Sequence, residues 1–176
     1  MKDNSDKIIS YNNLTPDIHD SVFLASGSKI IGDVLIEENT SIWFNTVVRG
    51  DVNYITIGKM TNVQDLSMLN VTKDTHPLII GNNVTIGHSV TLHGCKLKDN
   101  CFIGMGATIL DGAVVEKNSM VAAGSLVKQN FIVPEGKLVA GVPAKLIRNL
   151  TVDEIDNIQA SAVRYKEYAD ISSNSI

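Results

Sequence analysis

Residues 95–127 read CKLKDNCFIGMGATILDGAVVEKNSMVAAGSLV. Within them Leu97, Ile103, Ile109, Val115, Val121 and Val127 recur at a step of six. Two places before each stands a short side chain: Cys95, Cys101, Ala107, Ala113, Ser119 and Ser125. A step of six matches neither the helical period of about 3.6 nor the strand period of about 2. It matches a prism, in which six residues make one short strand and one corner. Three such faces close a coil of about 18 residues, and each inward aliphatic stacks on its counterpart about 4.8 Å away. The short side chain two places earlier lets the backbone turn the corner.

The same step runs upstream through Ile30, Ile36, Ile42 and Val48, then Ile57, Val63 and Leu69, then Ile80, Ile86 and Leu92. Gly32, Gly58, Gly81, Gly87 and Gly104 fall in or next to the turn. Hexapeptide repeats of this kind resemble the left-handed β-helix family, an exception to the right-handed crossover rule. The expected fold is therefore an all-β, single-stranded left-handed parallel β-helix, the hand being implied by the resemblance. Three breaks in the period predict irregularities. A step of nine between Val48 and Ile57 predicts a loop at Arg49–Tyr54. A step of eleven between Leu69 and Ile80 predicts extra residues bulging at Val71–His76. A step of five between Leu92 and Leu97 predicts a tightened corner. Insertions in a solenoid gather where chemistry tends to lie.

The period is expected to end near Val127. Pro134-Glu135-Gly136 is a turn signal, and Gly141-Val142-Pro143-Ala144-Lys145 leads the chain out. Thr151 with Glu154 forms a capping box, followed by a helical stripe of Ile155, Ile158, Ala162, Tyr165 and Ala169. The organisation read from this is a β-helix with leading strand and exit segment over 1–150, a C-terminal α-helix over 151–170 packed on the solenoid or a neighbour, and a loose tail over 171–176.

Composition narrows the functional classes. The chain has 176 residues, a formal net charge of −4 and only 5% aromatic residues, so small and β-branched side chains fill the interior. No basic block marks a nucleic-acid partner, and no apolar run approaches a membrane span. Residues Met1 to Ser10 lack the features of a secretory signal, and Cys95 and Cys101 make no disulfide framework. A soluble, cytoplasmic protein is expected.

Three of the four histidines, His76, His88 and His93, fall within 18 residues. His93 follows the inward Leu92, and Asn70 follows the inward Leu69 one coil earlier, so the two should stack on one edge. His88 lies two residues past Ile86, at a different corner. A threefold assembly can set that corner against the neighbour's edge, which a single chain does not do.

The words around these positions are more specific than the repeat. Asn82-Asn83-Val84-Thr85-Ile86-Gly87-His88 and Leu92-His93-Gly94-Cys95 resemble the γ-class carbonic anhydrases. So do Arg49-Gly50-Asp51, Thr61-Asn62-Val63-Gln64-Asp65 and the run Ile103–Ala113. The resemblance covers roughly residues 10 to 168. It implies a homotrimer with metal ions between subunits, zinc being usual and iron or cobalt able to serve. It also implies a metal-bound water acidified to a pKa near 7 that attacks carbon dioxide to give bicarbonate. Carried over by matching motifs, His93 is one metal ligand and His88 the ligand from the neighbour. Arg49, Asp51, Gln64 and Asp65 line the site or pair across the interface, and Tyr165 reaches it from the terminal helix.

Two positions depart from the family pattern. Val52 replaces a glutamate found in some members, and Met68-Leu69-Asn70-Val71 places Asn70 where a metal histidine is expected. An amide oxygen is a weaker donor than imidazole to a borderline-soft ion. Three readings of the metal site follow. His76 swings in to complete three imidazoles, or Asn70 coordinates weakly or holds a water, or the site is metal-poor and the chain a non-enzymatic trimeric scaffold. A hexapeptide acyltransferase or coenzyme-A thioesterase is the remaining alternative. Bland roles are expected for Cys95 and Cys101 in the core, for Asp111 and Gly112 in a turn, and for Trp43, which faces outward to cover an interface.

Overall fold

A computed structural model of the chain describes residues 5–175; residues 1–4 and 176, the outer ends of the first and last predicted segments, lie outside the described residues. The fold is a left-handed parallel β-helix closed by one C-terminal helix. The three inward stacks follow the six-residue step. Leu69 pairs in register with Leu92, Ile109 and Val127 along one face. Val63, Ile86, Ile103 and Val121 line the second, and Ile57, Ile80, Leu97 and Val115 the third. These side chains are essentially solvent-free and form one continuous core. Corners turn through left-handed backbone at Asn39, Asn45, Asn83, Asn100, Asn118 and Asn130. Asparagine tolerates that conformation because its short polar side chain bonds locally.

The repeat extends past Val127. Ile132–Val133 pairs with Val114–Val115, and Val139 pairs with Val121, so the buried step of six continues through Val133 and Val139. The turn residues Pro134 and Gly136 sit at a corner, where a coil needs a bend, and do not end the solenoid. Lys137–Gly141 then pairs antiparallel with Ala144–Asn149, a hairpin that closes the end of the sheet.

The expected loop at Arg49–Tyr54 is instead strand. Val47–Ile57 runs unbroken beside Lys29–Ile36, with a register shift between Gly32 and Val34 absorbing the extra residues. Gly32 has φ +78°, and a Cβ there would lie 2.3 Å from the Gly50 carbonyl oxygen. A Cβ on Gly50 would lie 2.4 Å from the Asp33 carbonyl oxygen. The glycine between Arg49 and Asp51 is thus required by this close approach. The extra residues at Val71–His76 do protrude, closed by an antiparallel bridge between Thr72 and His76.

The helix starts as expected. The Glu154 amide donates to Thr151 Oγ1 at 3.2 Å, and the Thr151 amide donates to Glu154 Oε2 at 2.9 Å. The Arg148 guanidinium forks onto the same carboxylate and, with these bonds, lowers its pKa to about 2. The helix runs Val152–Ser175, longer than 151–170, and residues 171–175 continue it in place of a loose tail. Ile158, Ser161, Ala162 and Ala169 bury against the face made by Phe23–Leu24, Ser41–Ile42, Asn62–Val63 and Thr85–Ile86. Trp43 points outward from the prism but is covered by this helix. Its ring meets Tyr165 edge-on at 5.6 Å and Phe23 at 5.3 Å. Among the described residues no helix is long and apolar enough to cross a membrane.

Candidate metal centre

Strand register carries the sequence-predicted residues to two separate places on each coil. On one edge Arg49, Asn70 and His93 stack on successive coils, because Val48, Leu69 and Leu92 pair beneath them. At another corner Phe44, Asp65, His88 and Met105 stack, each two residues past the paired Ile42, Val63, Ile86 and Ile103.

Both histidines are oriented by a carboxylate on the adjacent coil. His88 Nδ1 lies 2.8 Å from Asp65 Oδ2, and His93 Nδ1 lies 2.7 Å from Asp111 Oδ1. Each ring is partly exposed, and Nε2 has no protein partner among the described residues. This carboxylate–imidazole arrangement fixes the tautomer and leaves Nε2 as a lone-pair donor. Asp111 also accepts from Thr72 Oγ1 at 3.0 Å. Partial burial opposes ionisation of Asp111, but the bonds from His93 and Thr72 and the nearby His76 outweigh it and hold its pKa below the ordinary value.

Asp111 therefore has a role beyond a turn: it braces His93. The signal was present in the sequence, since Asp111 follows His93 by one full coil of 18 residues. Gly94 permits the contact. Its φ is +51°, and a Cβ would lie 2.3 Å from Asp111 Oδ1 and 2.7 Å from His76 Cβ. Gly94→Ala is expected to lower stability by at least about 1–2 kcal/mol, from the left-handed backbone alone. Chemical denaturation of the variant beside wild type measures this.

The other predicted residues divide as follows. Arg49 pairs with Asp51 through NH1 and Oδ2, while Asp51 Oδ1 is buried with no hydrogen-bond partner among the described residues. Gln64 is buried and points along the sheet, its Nε2 donating to Asn62 Oδ1 at 3.1 Å. Asn62 Nδ2 donates to Thr85 Oγ1 at 3.0 Å, and Thr85 Oγ1 donates to Ser161 Oγ at 3.2 Å. This relay, which sequence reasoning missed, pins the helix to the sheet beside Asp65. The pinned helix delivers Tyr165 to the His88 corner. Tyr165, Trp43, Phe44, Asp65, His88 and Tyr168 line an open groove of about 390 Å³. Burial, then the nearby Asp65, raises the Tyr165 pKa, so the phenol stays protonated.

Asn70 is turned away from ligation. Its Oδ1 accepts the Val71 amide at 2.7 Å, so the carbonyl oxygen serves the backbone. His76 is held by the Thr72 bridge, its Nδ1 lies 2.9 Å from Thr75 Oγ1, and its side chain lies against Gly94 through Cβ and against Gly112 through the ring. Among the described residues no three His, Cys, Asp or Glu side chains of one chain converge as a metal-binding group. Each exposed Nε2 is a donor type that suits a divalent ion, but within one chain the two stand at separate corners, and Asn70, as placed, adds no third donor. Cys95 and Cys101 are buried free thiols, with burial pushing each pKa up to about 12, and are chemically inert packing.

The chain is similar in sequence and fold to known hexapeptide-repeat proteins. Residues 94–129 match the family described as bacterial transferase hexapeptide (six repeats), and residues 77–110 the hexapeptide repeat of succinyl-transferase. The chain is 50% identical over 160 residues to a carbonic anhydrase of Geobacillus kaustophilus, covering 91% of this chain and 87% of that protein. It is 50% identical over 159 residues to mitochondrial gamma carbonic anhydrase 1 of Arabidopsis thaliana. That match covers 88% of this chain but only 58% of the plant protein's length. A crystal structure of a hexapeptide transferase family protein from Anaplasma phagocytophilum superposes with a TM-score of 0.91 at 43% identity, covering 94% of this chain and 98% of that one.

Proposed function

Because the chain belongs to the γ-class carbonic anhydrases, we propose that it hydrates carbon dioxide reversibly to bicarbonate as a cytoplasmic homotrimer, at a metal site shared between neighbouring subunits. The observation that carries this reading is the split histidine pair. His88 and His93 lie at different corners of one coil, and each is prepared as a ligand by a carboxylate on Nδ1. Neither half is useful alone; a second copy supplies the other half. The buried, unpartnered Asp51 Oδ1 supports a neighbour as well, since such an oxygen normally finds a donor. Two buried free thiols suit a reducing compartment.

His88 of one subunit and His93 of the next would hold the ion, with zinc preferred by the imidazole donors and iron or cobalt acceptable. A bound divalent ion supplies positive charge that lowers the pKa of a coordinated water to about 7. Asp65 and Asp111, each against an Nδ1, orient both imidazoles and leave their Nε2 atoms facing outward. Trp43 and Phe44 give the groove beside His88 an apolar wall, which suits an uncharged, linear substrate. Tyr165 stands beside Asp65 and His88 as a protonated hydrogen-bond donor. Arg49, fixed by Asp51, lies on the His93 edge, where its charge favours the anionic product. Asn70 leaves this donor set one imidazole short, so metal affinity is lower than a three-histidine site would have.

The test is the mass of the assembly, metal per trimer and stopped-flow carbon dioxide hydration, before and after chelation. Hydration that disappears with the metal and returns on reloading supports the proposal. A metal-free trimer without hydration, even after reloading, replaces it with the scaffold reading that Asn70 favours. Acyl-coenzyme-A turnover that survives chelation replaces it with the transferase reading.

A further inference from the structure

One corner of the prism is built from residues in left-handed backbone, one per coil: Gly27, Asn45, Leu66, Ser89, Gly106 and Gly124. From Asn45 onward their amides form a continuous ladder, each bonded to the preceding coil. Five of the six are glycine, asparagine or serine, which carry small side chains into this conformation. Leu66 does not fit. It holds φ +62° with a bulky side chain that is 62% exposed. Met60 is the other large side chain in this backbone region, but its own chain covers it partly. A strained residue that makes so little contact within its own fold contributes nothing there that glycine or asparagine would not improve.

The position of Leu66 accounts for it. It follows Asp65, the carboxylate that braces His88, and Met68 and Met105 are exposed around the same corner. Leu66 and Asn70 belong to one coil, as His88 and His93 belong to the next. A threefold axis parallel to the prism axis brings equal heights together. Where His88 meets the neighbouring subunit's His93, Leu66 stands level with the neighbouring subunit's Asn70. We infer that Leu66 is the apolar wedge of the subunit joint and that its occupant is a second copy of this chain. It packs against the Asn70 edge and closes the joint to water one coil away from the imidazoles. This rests on the trimeric reading above and adds to it the residue that seals the contact.

The inference assigns opposite signs to two measurements. Leu66→Asn and Leu66→Gly remove the wedge and relieve the backbone. Sedimentation velocity over a dilution series is expected to show the trimer dissociating at concentrations on the order of tenfold higher than wild type, or more, for the apolar area lost. The thermal midpoint of the dissociated chain, followed by circular dichroism, is expected to stay level or rise. Leu66→Met, which keeps an apolar reach, is expected to retain the trimer. If Leu66→Asn assembles as tightly as wild type, or its dissociated chain melts earlier, the wedge is refuted while the trimer stands. If wild type is monomeric at every concentration, the trimeric reading itself fails and the wedge with it.

Discussion

Asn70→His is expected to raise metal occupancy to about one ion per subunit joint and to tighten binding by at least about 10-fold. Loss of an outer hydrogen-bond partner to a metal ligand costs roughly 10–100-fold in affinity, and a missing inner ligand costs no less. The position is suitable because Asn70 and His93 pair in register on adjacent coils. An imidazole at residue 70 therefore stands one strand spacing, about 4.8 Å, from the His93 backbone. The present amide does not compete, since its oxygen is occupied by the Val71 amide. Carbon dioxide hydration should rise with occupancy under limiting metal. Metal analysis after dialysis against a weak chelator reads the first effect, and stopped-flow hydration the second. A wild-type protein that already retains one tight ion per joint through that dialysis would show Asn70 to be no defect.

Mixing two inactive variants should restore function. In the proposed trimer His88→Ala removes the corner ligand and His93→Ala the edge ligand, so that homotrimers of either variant would lack every site. In a mixed trimer, one joint combines an intact His88 corner from one chain with an intact His93 edge from the next. Random co-assembly from equal amounts should recover about a quarter of the wild-type metal and hydration rate, from threefold symmetry alone. The two chains are refolded or co-expressed together, so that mixed trimers form whatever the exchange rate between preformed ones. No recovery in mixed trimers whose composition is verified by native mass spectrometry would mean that the ligands do not meet across a joint. Unlike loss-of-function substitutions, this result is not reproduced by misfolding.

The residues that build the solenoid were legible because the same step governs sequence and space. Every inward aliphatic from Ile30 to Val127 occupies the core as its phase requires, and the Asn70–His93 stack follows from the same arithmetic. The capping box at Thr151 and Glu154 was equally legible, being a contact between residues three apart. The motifs around His88 and His93 made the family legible in the sequence, and relatives about 50% identical belong to it.

What remained hidden involved side-chain direction or contacts between distant segments. Arg49–Tyr54 broke the period, and only strand pairing shows that a bulge just after Gly50, opposite Asp33, absorbs the excess. Trp43 was visible as outward-facing, but its cover is the terminal helix, more than a hundred residues later in the chain. Asp111 lay one coil beyond His93, yet the choice between a turn residue and a brace depends on its rotamer and on Gly94 leaving room. The sequence alone determined the coil, its inward faces and the phase of each histidine, because a local repeat sets local direction. The tertiary structure decided which carboxylate braces which imidazole, where the helix lies and that Leu66 protrudes unpacked. Those outcomes depend on atoms brought within a few ångströms by segments that carry no local record of one another.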